Sequence, residues 1–255
     1  MKMPVLFVGH GSPMNAIEEN QLTKEWNLLG KTTPKPRAVI CISAHWLTNG
    51  TQITTMDQPK TIHDFYGFPS ELYQVQYPAS GYPLLFDEIV AKISDFKFQS
   101  DLKWGLDHGT WSVLKHIYPD ASIPVVQLSI DYLKPAEYHY KLGQALSFLR
   151  EHEILIIASG NIVHNLGKLS NEIEAYDWAR EFDEKIANLI IDENHESIVN
   201  YMYLGETARL SVPSPEHFLP LIYALGAAGK ECNISFFTEE IVMGAIGMRG
   251  VKFEN

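Results

Sequence analysis

Short β-branched runs alternate with longer stretches of helical periodicity along the whole chain, and few folds accommodate that rhythm. Strands are expected at residues 5–8, 38–43, 52–55, 124–129, 154–159, 234–237 and 245–251. Between them, residues 82–94 begin with Pro83 and align Leu84, Leu85, Ile89, Val90 and Ile93 on one helical face. Residues 135–150 do the same with Leu142, Ala145, Leu146 and Leu149, and residues 178–191 with Phe182, Ile186, Leu189 and Ile190. This spacing predicts an α/β fold with a largely parallel, mixed central sheet flanked by helices. The proline-rich residues 33–37 only join a helix to a strand, and no linker, charge block or repeat divides the chain. A single domain over residues 1–255 is therefore expected.

The ends of the expected strands carry the chemistry. Residues 5–8 run into Gly9-His10-Gly11-Ser12-Pro13, residues 38–43 into Ala44-His45-Trp46, and residues 154–159 into Gly160-Asn161-Ile162-Val163-His164. Open parallel sheets bind ligands outside the carboxyl ends of their strands. If the three strands are parallel neighbours, their histidines meet in one crevice. A fourth histidine, His217, follows Ser214-Pro215-Glu216, which reads as an N-cap and a proline opening a short helix. A fifth, His108, sits in the glycine-bracketed Gly105-Leu106-Asp107-His108-Gly109-Thr110-Trp111 before another short helix.

Ten histidines against twenty lysines plus arginines is a rich supply of the commonest metal ligand. Taken singly, each reads as a surface or satisfied core residue, and His116, His139, His152 and His195 stay so, lying in or beside helical, charge-rich stretches. His63, among Phe65, Tyr66 and Phe68, belongs to a loop over something apolar. His10, His45, His164 and His217 together predict a metal site. Ser12 shapes the turn after His10. No phosphate loop, dinucleotide fingerprint, G-x-S-x-G elbow or C-x-x-C pair competes with that site.

The net charge of −11 makes the chain a poor partner for phosphate backbones or anionic lipid, so neither nucleic acid nor membrane is expected as a partner. Cys41 and Cys232 cannot build a disulfide framework, which points to a reducing, cytoplasmic setting. Residues 5–8 are too short for a signal-peptide core, and the longest nearly apolar stretch, 219–229, is interrupted by Pro220.

Read in order, GHGSP, SAHW, DFYGFP, DHGTW, SGNIVHNL and SPEHFLPL resemble the DODA-type branch (4,5-DOPA extradiol dioxygenase-like) of the LigB-like class III extradiol ring-cleavage dioxygenases. The resemblance spans nearly the whole chain. It implies that His10, His45 and His217 bind the metal, with His164 a further ligand, the acid/base, or both. It implies for His108 a supporting place on the substrate side, beside His164 in catalysis. The wider class holds iron with two histidines and a glutamate, whereas here a histidine, adjacent to Glu216, takes the carboxylate's place. Such ligation suits one divalent ion per chain, Zn(II) in the isolated protein and Fe(II) for oxygen chemistry. The implied activity is cleavage of a catechol such as DOPA by O2, beside its two hydroxyls, to a hydroxymuconic semialdehyde. Trp46, Phe65 and Tyr66 would form an aromatic wall for the ring. The histidines alone leave open a zinc-dependent hydrolase or a non-catalytic metal-binding protein, as a monomer or small homo-oligomer.

Overall fold

The structure, a computed structural model, describes residues 2–172 and 174–255. In chain order its elements are β1 (Val5–Gly9), α1 (Gln21–Thr32), β2 (Ala38–Thr48), β3 (Thr51–Thr54), α2 (Leu84–Lys92), β4 (Phe98–Asp101), α3 (His108–Ile117), β5 (Val125–Asp131) and α4 (Ala136–Leu146). They continue with β6 (Ile154–Gly160), α5 (Asp177–Ile191), α6 (His195–Val199), α7 (Glu206–Ser211), α8 (Leu219–Ala228), β7 (Asn233–Phe237), β8 (Ile241–Val242), β9 (Ile246–Gly247) and β10 (Gly250–Glu254).

Eight strands form one sheet in the order β4-β3-β5-β2-β6-β1-β10-β7. The central β5, β2, β6 and β1 are mutually parallel, while β10 and β7 add an antiparallel edge. The central strands are near-continuous apolar runs because helices cover both faces. Alternation along each strand then divides the core in two. Val5, Phe7, Ile40, Ile42 and Ile156 face one side with α4, α5 and α8. Leu6, Val8, Val39, Cys41 and Ile157 face the other with Trp26 of α1 and Trp111 and Leu114 of α3. Helix α8 is apolar all round because every one of its residues is buried. No helix among the described residues is long and apolar enough to cross a membrane.

Several boundaries differ from the sequence expectation, each for a visible reason. The run 245–251 is two strands: β9 pairs with β8, the chain breaks at Met248 and Arg249, and β10 joins the main sheet. Arg249 leaves the strand line to pair with buried Asp183, Nε donating at 2.8 Å. The helix over 135–150 ends at Leu146 and continues as a 3-10 turn, Ser147–His152. The strand at 38–43 extends to Thr48 through a register shift between Ile42 and Leu47. Residues 214–217 form no helix. The Pro215 carbonyl instead accepts from the Phe218 and Leu219 amides in a turn leading into α8.

Helices α4 and α8 approach closely because glycines face each other's backbone. A Cβ on Gly226 would overlap the Tyr140 carbonyl, and one on Gly143 the Tyr223 carbonyl. Gly226→Ala is therefore expected to lower stability by about 1–3 kcal/mol, the usual cost of overpacking, despite alanine's better helix propensity. Urea denaturation checks this, and an unchanged or raised midpoint would show that the helices can part without loss.

Candidate metal centre

Neighbouring parallel strands β2, β6 and β1 bring His45, His164 and His10 to one edge of the sheet. His10 follows β1 at the point where Gly11 turns the chain with φ +59°. Its backbone amide donates to the Gly160 carbonyl at 3.1 Å, and its carbonyl accepts from Asn15 Nδ2 at 3.1 Å. Ser12 caps the turn by accepting from the Met14 amide at 3.2 Å, as the sequence suggests. His45 lies inside the irregular part of β2 and crosses the edge of the sheet toward His10. Gly109 makes room for it, since a Cβ there would stand 2.5 Å from Ser43 Oγ and 3.0 Å from His45 Cδ2.

His217 is fixed by its own backbone, whose carbonyl accepts from the Asn161 amide at 2.8 Å just beyond β6. The His164 amide donates to the Ser211 carbonyl at 2.8 Å. Its ring stacks flat on His217, with centroids 3.5 Å apart and planes 6° from parallel. His108 opens α3, capped by Asp107, which accepts from the Thr110 amide at 3.1 Å. Buried Gln127 donates to Asp107 Oδ2 at 2.7 Å and holds that cap.

The Nε2 atoms of His10 and His45 are 3.0 Å apart. Single ligand atoms of His10, His45 and His217 all lie within 4.8 Å of one another. Nitrogens so placed can share one ion at about 2.1 Å. The hydrogen-bond pattern also fixes a tautomer. The Ser159 hydroxyl spends its one proton on the Gly109 carbonyl at 2.5 Å, so it must accept from His10 Nδ1 at 3.0 Å. Nδ1 of His10 therefore carries the proton and Nε2 presents a bare lone pair, the supporting arrangement usual around metal-binding histidines.

Burial pushes the pKa of His10 well below its ordinary value, and the neighbouring histidines push the same way. Burial also lowers His45, to about 3, and His164, to about 4. His217 is likewise held well below the ordinary range by burial and by His164. At neutral pH these rings are uncharged, the form a metal or a proton requires.

The four expected ligands divide into three and one. His10, His45 and His217 form one group, while His164 groups with His217 and Glu216. Glu216 accepts from Ser214 Oγ at 2.7 Å and lies 3.4 Å from His217 Nδ1. Asp64 is a site residue that the sequence reading did not single out. Its Oδ2 lies 3.0 Å from His108 Nδ1 and 3.6 Å from His45 Nδ1, and its Oδ1 accepts from the His108 amide at 2.9 Å. The approach to His108 Nδ1 is oblique, so that nitrogen has no well-directed bond. Burial alone would raise the Asp64 carboxyl, but His108 and His45 hold it below its ordinary value. Its one sequence signal was position, immediately before Phe65 in the DFYGFP run.

The histidines open into a cavity of about 340 Å³ walled by Phe65, Phe68, Leu166, Leu169, Met243 and Ile246. Of the expected aromatic wall only Phe65 is there. Trp46 points elsewhere, buried and stacked on Trp104 with centroids 5.6 Å apart. Tyr66 is 92% exposed. Strand alternation sends Trp46 away from its neighbour His45, and Phe68 supplies the second ring. Four of the remaining histidines serve structure, while His152 is exposed. His63 donates to the Val75 carbonyl at 3.0 Å and His116 to the Asn15 carbonyl at 2.7 Å. His139 pairs with Tyr223 and His195 with Tyr140, each at 2.9 Å.

A cluster of neutral imidazoles at the carboxyl edge of a parallel sheet, opening into an apolar cavity, can hold a metal ion beside an apolar ligand. Residues 5–253 match the family described as the catalytic LigB subunit of aromatic ring-opening dioxygenase. The chain is 47% identical to the 4,5-DOPA dioxygenase extradiol of Escherichia coli K12, over 98% of this chain and 94% of that one. It is 38% identical to the 4,5-DOPA dioxygenase extradiol of Beta vulgaris, over 97% and 95%. The crystal structure of an uncharacterized Escherichia coli K12 protein superposes with a TM-score of 0.85 at 40% identity, covering 98% of this chain and 99% of that one. The chain belongs to the LigB family, on its DODA-type branch, and is an extradiol ring-opening dioxygenase.

Proposed function

We propose that the enzyme opens the ring of a catechol such as DOPA beside its paired hydroxyls, giving a hydroxymuconic semialdehyde. We assign one divalent ion per chain to His10, His45 and His217. The convergence of their ring nitrogens on the wall of the apolar cavity carries this reading. Bound Fe(II) would supply the redox chemistry through which oxygen reacts with the ring, chemistry that Zn(II) lacks.

The chain's own residues orient the substrate and handle its protons. Phe65 and Phe68 meet edge to face, centroids 5.3 Å apart, and offer apolar surface to a flat ring. His164 takes a catechol hydroxyl proton on a ring nitrogen and returns a proton as the ring opens. Asp64 orients His108 on the substrate side and backs His45. Phe65, Phe68 and Ile246 give the histidine end of the cavity an apolar lining, beside which His164 offers a fixed imidazole for the proton.

Loading the protein anaerobically with Fe(II) or Zn(II), then adding DOPA and air, tests the reading. Oxygen uptake and semialdehyde absorbance are expected with iron and not with zinc. Uptake with zinc and none with iron would defeat it. Hydrolysis of an ester or amide by the zinc form, without catechol, would establish a zinc hydrolase instead, and metal binding without either reaction a non-catalytic protein.

A further inference from the structure

We infer that Ser159 is the positioning residue that joins the metal centre to the substrate-side histidine, its one hydroxyl holding both the His10 ring and the first turn of α3. This rests on the reading of His10, His45 and His217 as metal ligands and names what keeps that site in register. Strand alternation places Ser43, Gln127 and Ser159 on the face that Val39, Cys41, Val125, Leu155 and Ile157 fill with apolar side chains. All three are fully buried. Ser43 stands opposite Ser159, and Cys41 opposite Gln127, across neighbouring strands. A polar row thus crosses an apolar core on the face that α3 covers. Buried polar groups are costly there unless they are bonded, and these are bonded toward α3. Gln127 accepts from the Asp107 amide at 2.8 Å and donates to its carboxylate at 2.7 Å. Burial and the charge of Asp64 raise the Asp107 carboxyl, and hydrogen bonds from Gln127 and Ser43 oppose that rise. Ser159 donates to the carbonyl of Gly109, the residue after His108.

Ser159 differs from the other two because it also meets a metal ligand, accepting from His10 Nδ1 at 3.0 Å. A hydroxyl carries one proton, so its bond to α3 and its bond to His10 set each other's direction. Without that oxygen, the proton on His10 Nδ1 is buried with no acceptor. A neutral imidazole leaves that state by carrying its proton on Nε2 instead. An acceptor is already in place there, since His45 Nε2 lies 3.0 Å away. The nitrogen that faces the metal position is then blocked by a proton. At the same time the Gly109 carbonyl loses its tie to β6, and the turn that carries His108 loses one of its anchors.

Long-range proton–nitrogen NMR of the metal-free protein at neutral pH, with labelled histidine, reads the tautomer directly. We expect His10 to carry its proton on Nδ1 in the wild type and on Nε2 in Ser159→Ala, with the His108 ring resonances moving as well. Zn(II) affinity should fall about 10–100-fold in the variant, and kcat at saturating Fe(II) about tenfold, with circular dichroism showing the fold retained. A wild-type His10 protonated on Nε2 would overturn the inference without any variant. A Ser159→Ala ring still protonated on Nδ1, or an unchanged Zn(II) affinity, would overturn it too. Full recovery of kcat at saturating Fe(II) would confine Ser159 to the metal ligands and defeat its link to His108. If the wild type shows the expected tautomer but binds neither metal, the metal assignment fails while the hold of Ser159 on His10 stands.

Discussion

His10→Ala is expected to lose the metal and ring opening together while the sheet stays folded, and His45→Ala to do the same. The two rings bring their Nε2 atoms within 3.0 Å of each other. Removing either leaves two of the three grouped imidazoles, and two neutral ligands hold a divalent ion far more weakly than three. The folded state depends on these rings much less. The bonds that order the loop after β1 are made by the His10 backbone and Asn15, and they survive the substitution. The two apolar cores, one on each face of the sheet, do not include either ring. Metal content by elemental analysis, with circular dichroism as the folding control, checks this. Full metal stoichiometry in either variant would remove that residue from the site.

The sequence made this centre legible because parallel β architecture converts a local pattern into a global one. A strand followed by small residues and a histidine can be recognised residue by residue. Once β1, β6 and β2 are parallel neighbours, the three endings must share an edge. What escaped was whatever depends on direction rather than spacing. Trp46 and His45 are adjacent in sequence and diverge in space, so membership of the same motif did not place both at the cavity. Asp64 belongs to a loop with no periodicity, and only the fold brings its carboxylate between His45 and His108. Strand β4 is four residues, Phe-Gln-Ser-Asp, none of them fully buried, and it carries no apolar alternation to find. The run 245–251 has strand composition throughout, yet the pull of Arg249 toward Asp183 is a tertiary contact that breaks it. The apolar walls from Leu166, Leu169 and Met243 likewise come from segments whose function appears only when they close over the histidines.

His164→Gln is expected to keep the metal and lose about 10²–10⁴-fold in kcat, the usual range for a lost general acid/base. His164 is not one of the three converging rings but lies against one of them, His217. It groups with His217 and Glu216, and its face rather than its edge lies against His217. A ring stacked flat on His217, with centroids 3.5 Å apart, holds its nitrogens in a parallel plane and points none of them at that neighbour's ring. His164 stands outside the group His10, His45 and His217, and the proposed role gives it the substrate's proton rather than a place in the metal's shell. Burial keeps it neutral, so it has a lone pair ready for a hydroxyl proton. Glutamine retains much of the volume and a polar end but cannot carry the proton, which isolates that role. If His164 were chiefly a ligand, metal affinity would collapse and added Fe(II) would partly restore turnover. If it is the base, turnover stays low at saturating metal, while substrate KM changes much less than kcat because the cavity wall is intact. Metal titration and steady-state oxygen uptake on the same preparation distinguish the two. Unchanged metal affinity together with unchanged kcat would show that the proton leaves by another route, with His108, the other imidazole on the substrate side, the next group to replace.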